Sequence, residues 1–206
     1  MSNHKNKVDD TQKYGVCVID IGSPRLGNIG WSLIDGETET EWSGDQLDQL
    51  FPLIPKILDR QGLLLGLEAP LFVPLRSNLL HATKARKGEE RRPWSAGAGA
   101  QVLAMNLPIM VYIVEKFMDY VKEPLFLLEE EKFLGSPKQV LIFEALVSGS
   151  DKGESHIADA QIMAKYCHQF SADFQNTVVG SHLLSIHGQK TCFHCCLLYT
   201  SPSPRD

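Results

Sequence analysis

Three short apolar runs constrain the fold of this chain more than any other feature. Residues 14–21 read YGVCVIDI, residues 62–68 read GLLLGLE and residues 138–148 read KQVLIFEALVS. Near-continuous apolar runs of this length, rich in Val, Ile and Leu, are typical of β-strands that are buried on both faces. We therefore expect these runs to form the centre of a covered sheet.

The segments after the first run predict a hairpin. A turn rich in Gly and Pro leads to residues 29–34 (IGWSLI), which are expected to pair back as a second strand. Alternating acidic residues over 35–41 indicate a strand with one solvated face. The chain therefore begins its sheet with antiparallel strands.

Apolar positions at helical spacing predict three helices, over residues 45–60, 96–122 and 155–170. Pro52 and Pro55 should break the start of the first helix, and Pro108 should kink the second. The order strand, hairpin, helix, strand, helix, strand, helix predicts a mixed α/β fold.

Composition narrows the class of protein but not its function. A hydrophobic content of 43% and a charged content of 22% are ordinary for a soluble domain and exclude collagen-like, disordered and membrane classes. The apolar run over 102–118 is interrupted and too short to span a bilayer, so a core helix is expected. Residues 1–13 carry no signal-peptide pattern, which favours the cytoplasm. The net charge of −5 argues against bulk binding of nucleic acid and leaves room for a local basic patch.

The two ends of the chain are expected to lie outside the fold. Residues 1–13 are polar and predict a disordered leader, and residues 14–190 predict one domain. Residues 196–206 (CLLYTSPSPRD) resemble a translation of the transposon-end adapter used in sequencing libraries. We therefore expect a non-native tail, a read junction at 191–195 and a missing natural C-terminus.

The cysteines indicate no disulfide framework. Cys192 and Cys195 form a CxxC pair at the junction, and with no second ligand pair we interpret it as accidental rather than as half of a zinc site. Cys17 and Cys167 lie among apolar residues and are expected in the core.

Carboxylates end two of the three apolar runs. Asp20 stands near the end of the first run and Glu68 ends the second. A carboxylate is rarely placed at the rim of an apolar core unless a partner or a ligand compensates it. Because the carboxyl ends of neighbouring parallel strands form sites in open α/β sheets, these two residues predict a site.

A third acidic residue is expected at the same rim. His156 and Asp159 are three residues apart at the start of a helix and share one face. The small residues that follow should let this face pack closely on the sheet. The alternative is an Asp that the helix dipole favours in the first turn, beside an incidental His.

Two further charged features, a glutamate inside an apolar strand and a basic segment, require a structural or functional explanation. Glu144 lies inside an apolar strand, where it is either a fourth ligand, a substrate contact or a structural residue with a paired partner. A basic segment, which we define as residues 84–94, could grip a phosphate backbone and stack a base, or could be a solvated loop balanced by Glu89 and Glu90. Its candidate contact residues are Lys84, Arg86, Lys87, Arg91, Arg92 and Trp94.

The order of these motifs resembles the RuvC branch of the RNase H-like superfamily. The motifs are DIG at 20–22, a hairpin, a glutamate at 68 and HIADA at 156–160. Within that branch, LEAPLFVP, RKGEERRPW and LIFEALVSG look like segments of the predicted nucleases of domain-of-unknown-function family four hundred and twenty-nine. The resemblance covers about residues 16–188.

This resemblance implies an RNase H-like mixed sheet with an N-terminal β-hairpin and flanking helices. It also implies hydrolysis of phosphodiester bonds in nucleic acid with Mg²⁺ or Mn²⁺, expected as two ions held by converging carboxylates. Asp20 would bridge both ions, Glu68 and Asp159 would each hold one, and Glu144 would be a fourth ligand. His156 would ligate or position the attacking water.

Two other functions stay open at this point. Sugar kinases and related ATPases share the fold and open with a similar hairpin, in which Gly22, Ser23 and Gly27 would clasp phosphate. Against this function, no second hairpin of this kind is predicted later in the chain, although truncation could have removed one. A non-catalytic binding domain would retain the acidic residues for structure alone. The nucleic-acid substrate and the oligomeric state are left open.

Overall fold

The structure is a computed structural model that describes residues 13–74, 76–86, 94–128, 132–146, 152–169, 183–185, 190–191 and 196–198. The predicted leader up to residue 12 and the CxxC pair in 192–195 lie outside the described residues.

The strands, in chain order, are β1 (Gly15–Ile21), β2 (Ile29–Ile34), β3 (Glu41–Gly44), β4 (Leu63–Leu67), β5 (Phe72–Pro74), β6 (Leu125–Leu127), β7 (Gln139–Leu146), β8 (Leu183–Ser185), β9 (Lys190–Thr191) and β10 (Cys196–Leu198). The helices are α1 (Leu47–Leu50), α2 (Ile54–Leu58), α3 (Gly97–Tyr120) and α4 (His156–Gln169), with 3₁₀ turns at Pro24–Leu26, Phe51–Leu53 and Leu79–His81.

The main sheet is mixed, as the sequence predicts. Its strand order is β10-β7-β4-β1-β2-β3, and β6 also pairs with β7. Strands β1, β2 and β3 are antiparallel neighbours, whereas β1, β4 and β7 run parallel. A second, small antiparallel sheet joins β5, β8 and β9. The predicted α/β class is therefore confirmed.

Helices cover β1 on both faces, which explains why the whole strand is buried. A Cβ atom on Gly15 would collide with Ile57 of α2, so this face of β1 lies against α2. Asp20, five residues on, points to the opposite face, where it contacts His156 of α4. The buried thiols of Cys17 and Cys167 belong to the core, as predicted, and burial raises the pKa of Cys167 to about 12.

The acidic stretch after β2 is not a strand, contrary to the prediction. The Asp35 carboxylate accepts hydrogen bonds from the backbone N–H groups of Glu37 (3.0 Å) and Thr38 (3.3 Å). Glu39 adopts a left-handed conformation with φ of 60°. These local bonds form a turn in place of a ladder, and β3 starts only at Glu41.

The broken first helix is confirmed, because α1 and α2 are separated by the 3₁₀ turn that contains Pro52. Helix α3 runs through Pro108 and is, among the described residues, the one helix long and apolar enough to cross a membrane by length and composition. One face of α3, including Ile113 and Phe117, is buried in the core, while Met118 on another face is 61% exposed. The prediction of a core helix holds for one face.

The C-terminal segment contributes one short strand to the main sheet. Residues Cys196–Leu198 form β10, which pairs in parallel with β7 and sets Leu197 opposite Ala145. An open strand edge offers unpaired backbone groups, and three consecutive residues with apolar side chains suit it. Residues 199–206 of the predicted tail lie outside the described part, and the expectation of a non-native tail stays a prediction.

Candidate metal centre

Parallel pairing of β1 and β4 brings the first two carboxylates to the same edge of the sheet. Ile19 lies opposite Leu67 in the register, and the backbone N–H of Glu68 donates to the carbonyl of Ile19 at 2.9 Å. Asp20 and Glu68 therefore lie side by side on neighbouring strands, each at the carboxyl end of its strand.

The N-terminus of α4 lies directly over this edge because of a glycine. Gly30 of β2 is the register partner of Asp20, and a Cβ atom there would collide with the backbone carbonyl of His156. With no side chain in the way, α4 approaches until Nδ1 of His156 lies 2.7 Å from Oδ2 of Asp20. Asp159, in the first turn of the helix, reaches the same place.

Three carboxylates converge here, as the sequence predicts. One oxygen from each of Asp20, Glu68 and Asp159 lies within 4.8 Å of the others. The side chains are 5%, 12% and 7% exposed, respectively, so little water reaches them. We call these three residues the acid cluster.

The acid cluster is electrostatically unfavourable by itself. Burial, reinforced by the negative charge of Asp20, raises the pKa of Glu68 to about 8. Burial also raises the pKa of Asp20, although its hydrogen bond with Glu68 and the charge of Lys152 oppose the rise. Because desolvated like charges destabilise one another, this site favours a bound cation.

Lys152 lies beside the acid cluster, and sequence reasoning missed it. Its Nζ atom is 3.3 Å from Oε1 of Glu68 and 3.5 Å from Oδ2 of Asp159. The lysine belongs to no periodic segment or motif. Its position four residues before His156 was the available signal, since a short turn before a helix stays near the helix N-terminus.

The donor set fits a hard divalent cation. All ligand atoms in the acid cluster are carboxylate oxygens, which Mg²⁺ and Mn²⁺ prefer. Oε2 of Glu68 is buried and accepts no hydrogen bond from any residue that the structure describes. A buried, negatively polarised oxygen without a donor is the kind of atom that a cation satisfies.

Glu144 does not join the acid cluster. Its Oε1 atom accepts hydrogen bonds from the backbone N–H groups of Leu71 (2.6 Å) and Phe72 (3.0 Å) and from Nη1 of Arg86 (2.7 Å). Of the three interpretations of this residue, the structure favours a paired structural glutamate over a metal ligand or a substrate contact. An acidic residue inside a strand is stable here because each of these donors compensates its charge.

The basic segment divides into two kinds of residue. Arg86 is only 2% exposed and is paired with Glu144, which favours a structural arginine over the expected phosphate contact. Lys84 is exposed, and Trp94 is half-buried with its ring N–H donating to the Lys84 carbonyl at 3.3 Å. The other three candidates lie outside the described residues: Lys87, Arg91 and Arg92.

No family model, no curated protein and no solved structure matches this chain. The functional argument therefore rests on the geometry and charge of the acid cluster and on the elements that hold it.

Proposed function

We propose that this chain is a metal-dependent nuclease with an RNase H-like domain, which hydrolyses phosphodiester bonds at the acid cluster. One observation carries the proposal. Three carboxylates from two strands and one helix converge within 4.8 Å in a nearly buried site. A purely structural role would leave this negative charge without enough compensation.

The architecture supports the RNase H-like part of the proposal. An N-terminal antiparallel hairpin, formed by β1 and β2, continues into parallel β4 and β7, with helices on both faces. The acid cluster lies at the carboxyl ends of β1 and β4, which is where open α/β sheets bind ligands. This arrangement agrees with the one that the motif order implied.

The residues of the chain have distinct roles in the proposed reaction. Asp20, Glu68 and Asp159 would hold Mg²⁺ or Mn²⁺, and the bound metal would activate water and stabilise charge on the phosphate. The carboxylates themselves fix the place where the scissile phosphate is bound. Their burial excludes bulk water and strengthens each electrostatic contact.

His156 would handle the proton. Its ring contacts Asp20 through Nδ1, while 39% of the side chain remains exposed to solvent. Asp20 therefore orients the ring, and the exposed part of the imidazole can reach a water molecule at the site. In this role His156 positions the attacking water and accepts its proton.

The basic segment would bind the nucleic-acid backbone near the site. Arg86 anchors this segment to Glu144, which lies opposite Leu67 in the register, one residue before Glu68. Arg86 itself is thereby tied to the same edge of the sheet as the acid cluster. Exposed cations there, such as Lys84, would neutralise phosphates without reading sequence.

A cleavage screen tests the proposal. Purified protein is incubated with branched DNA, single-stranded DNA and an RNA–DNA hybrid, with Mg²⁺ or Mn²⁺ and with EDTA. We expect cleavage of at least one substrate that requires the metal and is abolished by Asp20→Asn. The matched control is Asp119→Asn, a carboxylate on the exposed end of α3 that should leave cleavage unchanged.

Metal-dependent cleavage that survives Asp20→Asn would contradict the proposal. Binding of Mn²⁺ and nucleic acid without cleavage of any substrate would instead favour the non-catalytic binding domain. Hydrolysis of ATP that Asp20→Asn abolishes would favour the ATPase alternative.

A further inference from the structure

We propose that Lys152 permanently fills one of the cation positions of the acid cluster, so that the site binds a single divalent ion rather than two. This inference rests on the proposed function, because it concerns how the same acid cluster binds metal. It assigns a role to a residue that no motif contains.

The position of the lysine carries the first step. Nζ of Lys152 lies 3.3 Å from a Glu68 oxygen and 3.5 Å from an Asp159 oxygen, so it bridges two of the three carboxylates. A divalent ion bound to these same two carboxylate oxygens would have to occupy this place. The ammonium group and that ion exclude each other by both volume and charge.

Charge balance carries the second step. The acid cluster has three carboxylates, and the ammonium group of Lys152 compensates one of them. One divalent ion then neutralises the remainder, whereas two ions would leave an excess positive charge in a largely buried site. Because uncompensated buried charge is strongly unfavourable, the site is most stable with a single bound ion.

The backbone around Lys152 keeps it in place. The N–H of Gly153 donates to Oδ1 of Asp159 at 2.5 Å, which fixes the lysine next to the start of α4. A Cβ atom on Gly153 would meet the side chain of Ala158, so only glycine lets this segment lie so close to the helix. The lysine is therefore held by its backbone, besides the attraction of its side chain to the acids.

The exposure of Lys152 to solvent allows it a second role. Its side chain is 41% exposed, whereas the three carboxylates around it are nearly buried. The ammonium group thus faces both the acid cluster and solvent. From there Lys152 can contact a phosphate oxygen of an incoming substrate. Unlike a bound metal ion, this cation is covalently part of the chain and cannot leave the site.

Calorimetric titration with Mn²⁺ alone tests the inference, using the full chain and four forms of it. The forms are the wild type, Lys152→Met, Lys152→Arg and Asp20→Asn, each checked for folding by circular dichroism. We expect one Mn²⁺ per chain for the wild type and for Lys152→Arg, which keeps the charge. Lys152→Met, which removes the charge and nearly retains the length, should bind two Mn²⁺ ions.

The outcomes separate this inference from the proposed function. Two ions in the wild type, or one ion in Lys152→Met, would overturn the role of Lys152 and leave the acid cluster as a metal site. If the wild type binds no Mn²⁺, or if its Mn²⁺ binding survives Asp20→Asn, the metal site itself is overturned, and this inference with it.

Discussion

Nη1 of Arg86 lies 2.7 Å from Oε1 of Glu144, and both side chains are almost completely buried. The two residues are 58 positions apart in the sequence, and their contact joins the basic segment to the middle strands of the sheet. Glu144 also accepts hydrogen bonds from the backbone N–H groups of Leu71 and Phe72, which follow Glu68 by three and four residues. This buried pair therefore holds in place the segment that follows Glu68, on one side of the acid cluster.

Breaking the pair should strongly destabilise the protein. Glu144→Ala leaves the Arg86 charge buried without its carboxylate, and we expect the free energy of unfolding to fall by about 3–5 kcal/mol, measured by urea denaturation. Asp119→Ala, which breaks an exposed ion pair with Lys116, should leave the free energy of unfolding almost unchanged. Adding Arg86→Met to Glu144→Ala should recover part of the loss. If the two single substitutions at 144 and 119 cost the same, the buried pair has no special role.

The sequence predicted the strands and the acid cluster because both follow from local patterns. The bounds of β2 agree with the prediction to the residue, and the strand-end positions of Asp20 and Glu68 sufficed to predict their convergence. Parallel neighbours share an edge, so strand-end position translates directly into proximity. Here the chemistry of a residue and its place in a periodic segment were enough.

The sequence could not predict the pairings that depend on tertiary structure. Arg86 stands in a charged segment, and nothing local distinguishes a buried arginine from a solvated one. Only the position of Glu144 across the sheet determines its role. The turn at Asp35 is a different case, because aspartate often bonds to the backbone two residues ahead, and this tendency could have been weighed against the alternating acids.

Gly30 should be essential for the approach of α4. In Gly30→Ala the added methyl group would collide with the His156 backbone, so the helix must move away from β2. We expect a loss of stability of about 1–3 kcal/mol and weaker Mn²⁺ binding, because Asp159 moves with the helix. Gly27→Ala serves as the control, since its positive φ of 69° strains the backbone while nothing lies near the added atom. It should cost about 1 kcal/mol and leave Mn²⁺ affinity unchanged. Equal Mn²⁺ affinities in the two variants would contradict this role of Gly30.

Asp20→Asn should separate stability from metal binding. It removes one negative charge from a buried group of three acidic side chains, so in EDTA we expect the free energy of unfolding to rise by on the order of 1 kcal/mol. Binding of Mn²⁺ should be lost in the same variant. Urea denaturation and calorimetry measure the two effects. A variant that is clearly less stable than the wild type would show that the acid cluster stabilises the fold.

Asp35 should contribute stability that disappears in acid. Burial acts to raise its pKa, but hydrogen bonds from Arg60, Gln61 and two backbone N–H groups outweigh this and lower the pKa to about 2. A carboxyl with a lowered folded pKa stabilises the protein above its ordinary value of 3.8, and this contribution is lost as the pH falls toward 2. We expect wild type to exceed Asp35→Asn by about 2 kcal/mol at pH 6 and to lose that advantage by pH 2. A constant difference between the two proteins across this range would contradict the assignment.

The basic segment offers the sharpest distinction between substrate contacts and structure. Arg86 is buried, so replacing it should reduce stability, whereas replacing the other cations of the segment should reduce nucleic-acid binding only. Substituting Lys84, Lys87, Arg91 and Arg92 by alanine together should weaken binding and flatten its dependence on salt by about one unit of slope per lost phosphate contact. Mn²⁺ affinity should be unchanged, because the carboxylates that hold the ion are not altered.

Fluorescence anisotropy with labelled DNA and RNA at several salt concentrations measures that slope, and calorimetry with Mn²⁺ is the parallel control. The four cations act through charge, so a variant with lysine at both 91 and 92 should retain the wild-type slope while the alanine variant does not. Unchanged affinity and unchanged slope in the alanine variant would mean that the basic segment is a solvated surface. The proposed nucleic-acid substrate would then depend on the acid cluster alone.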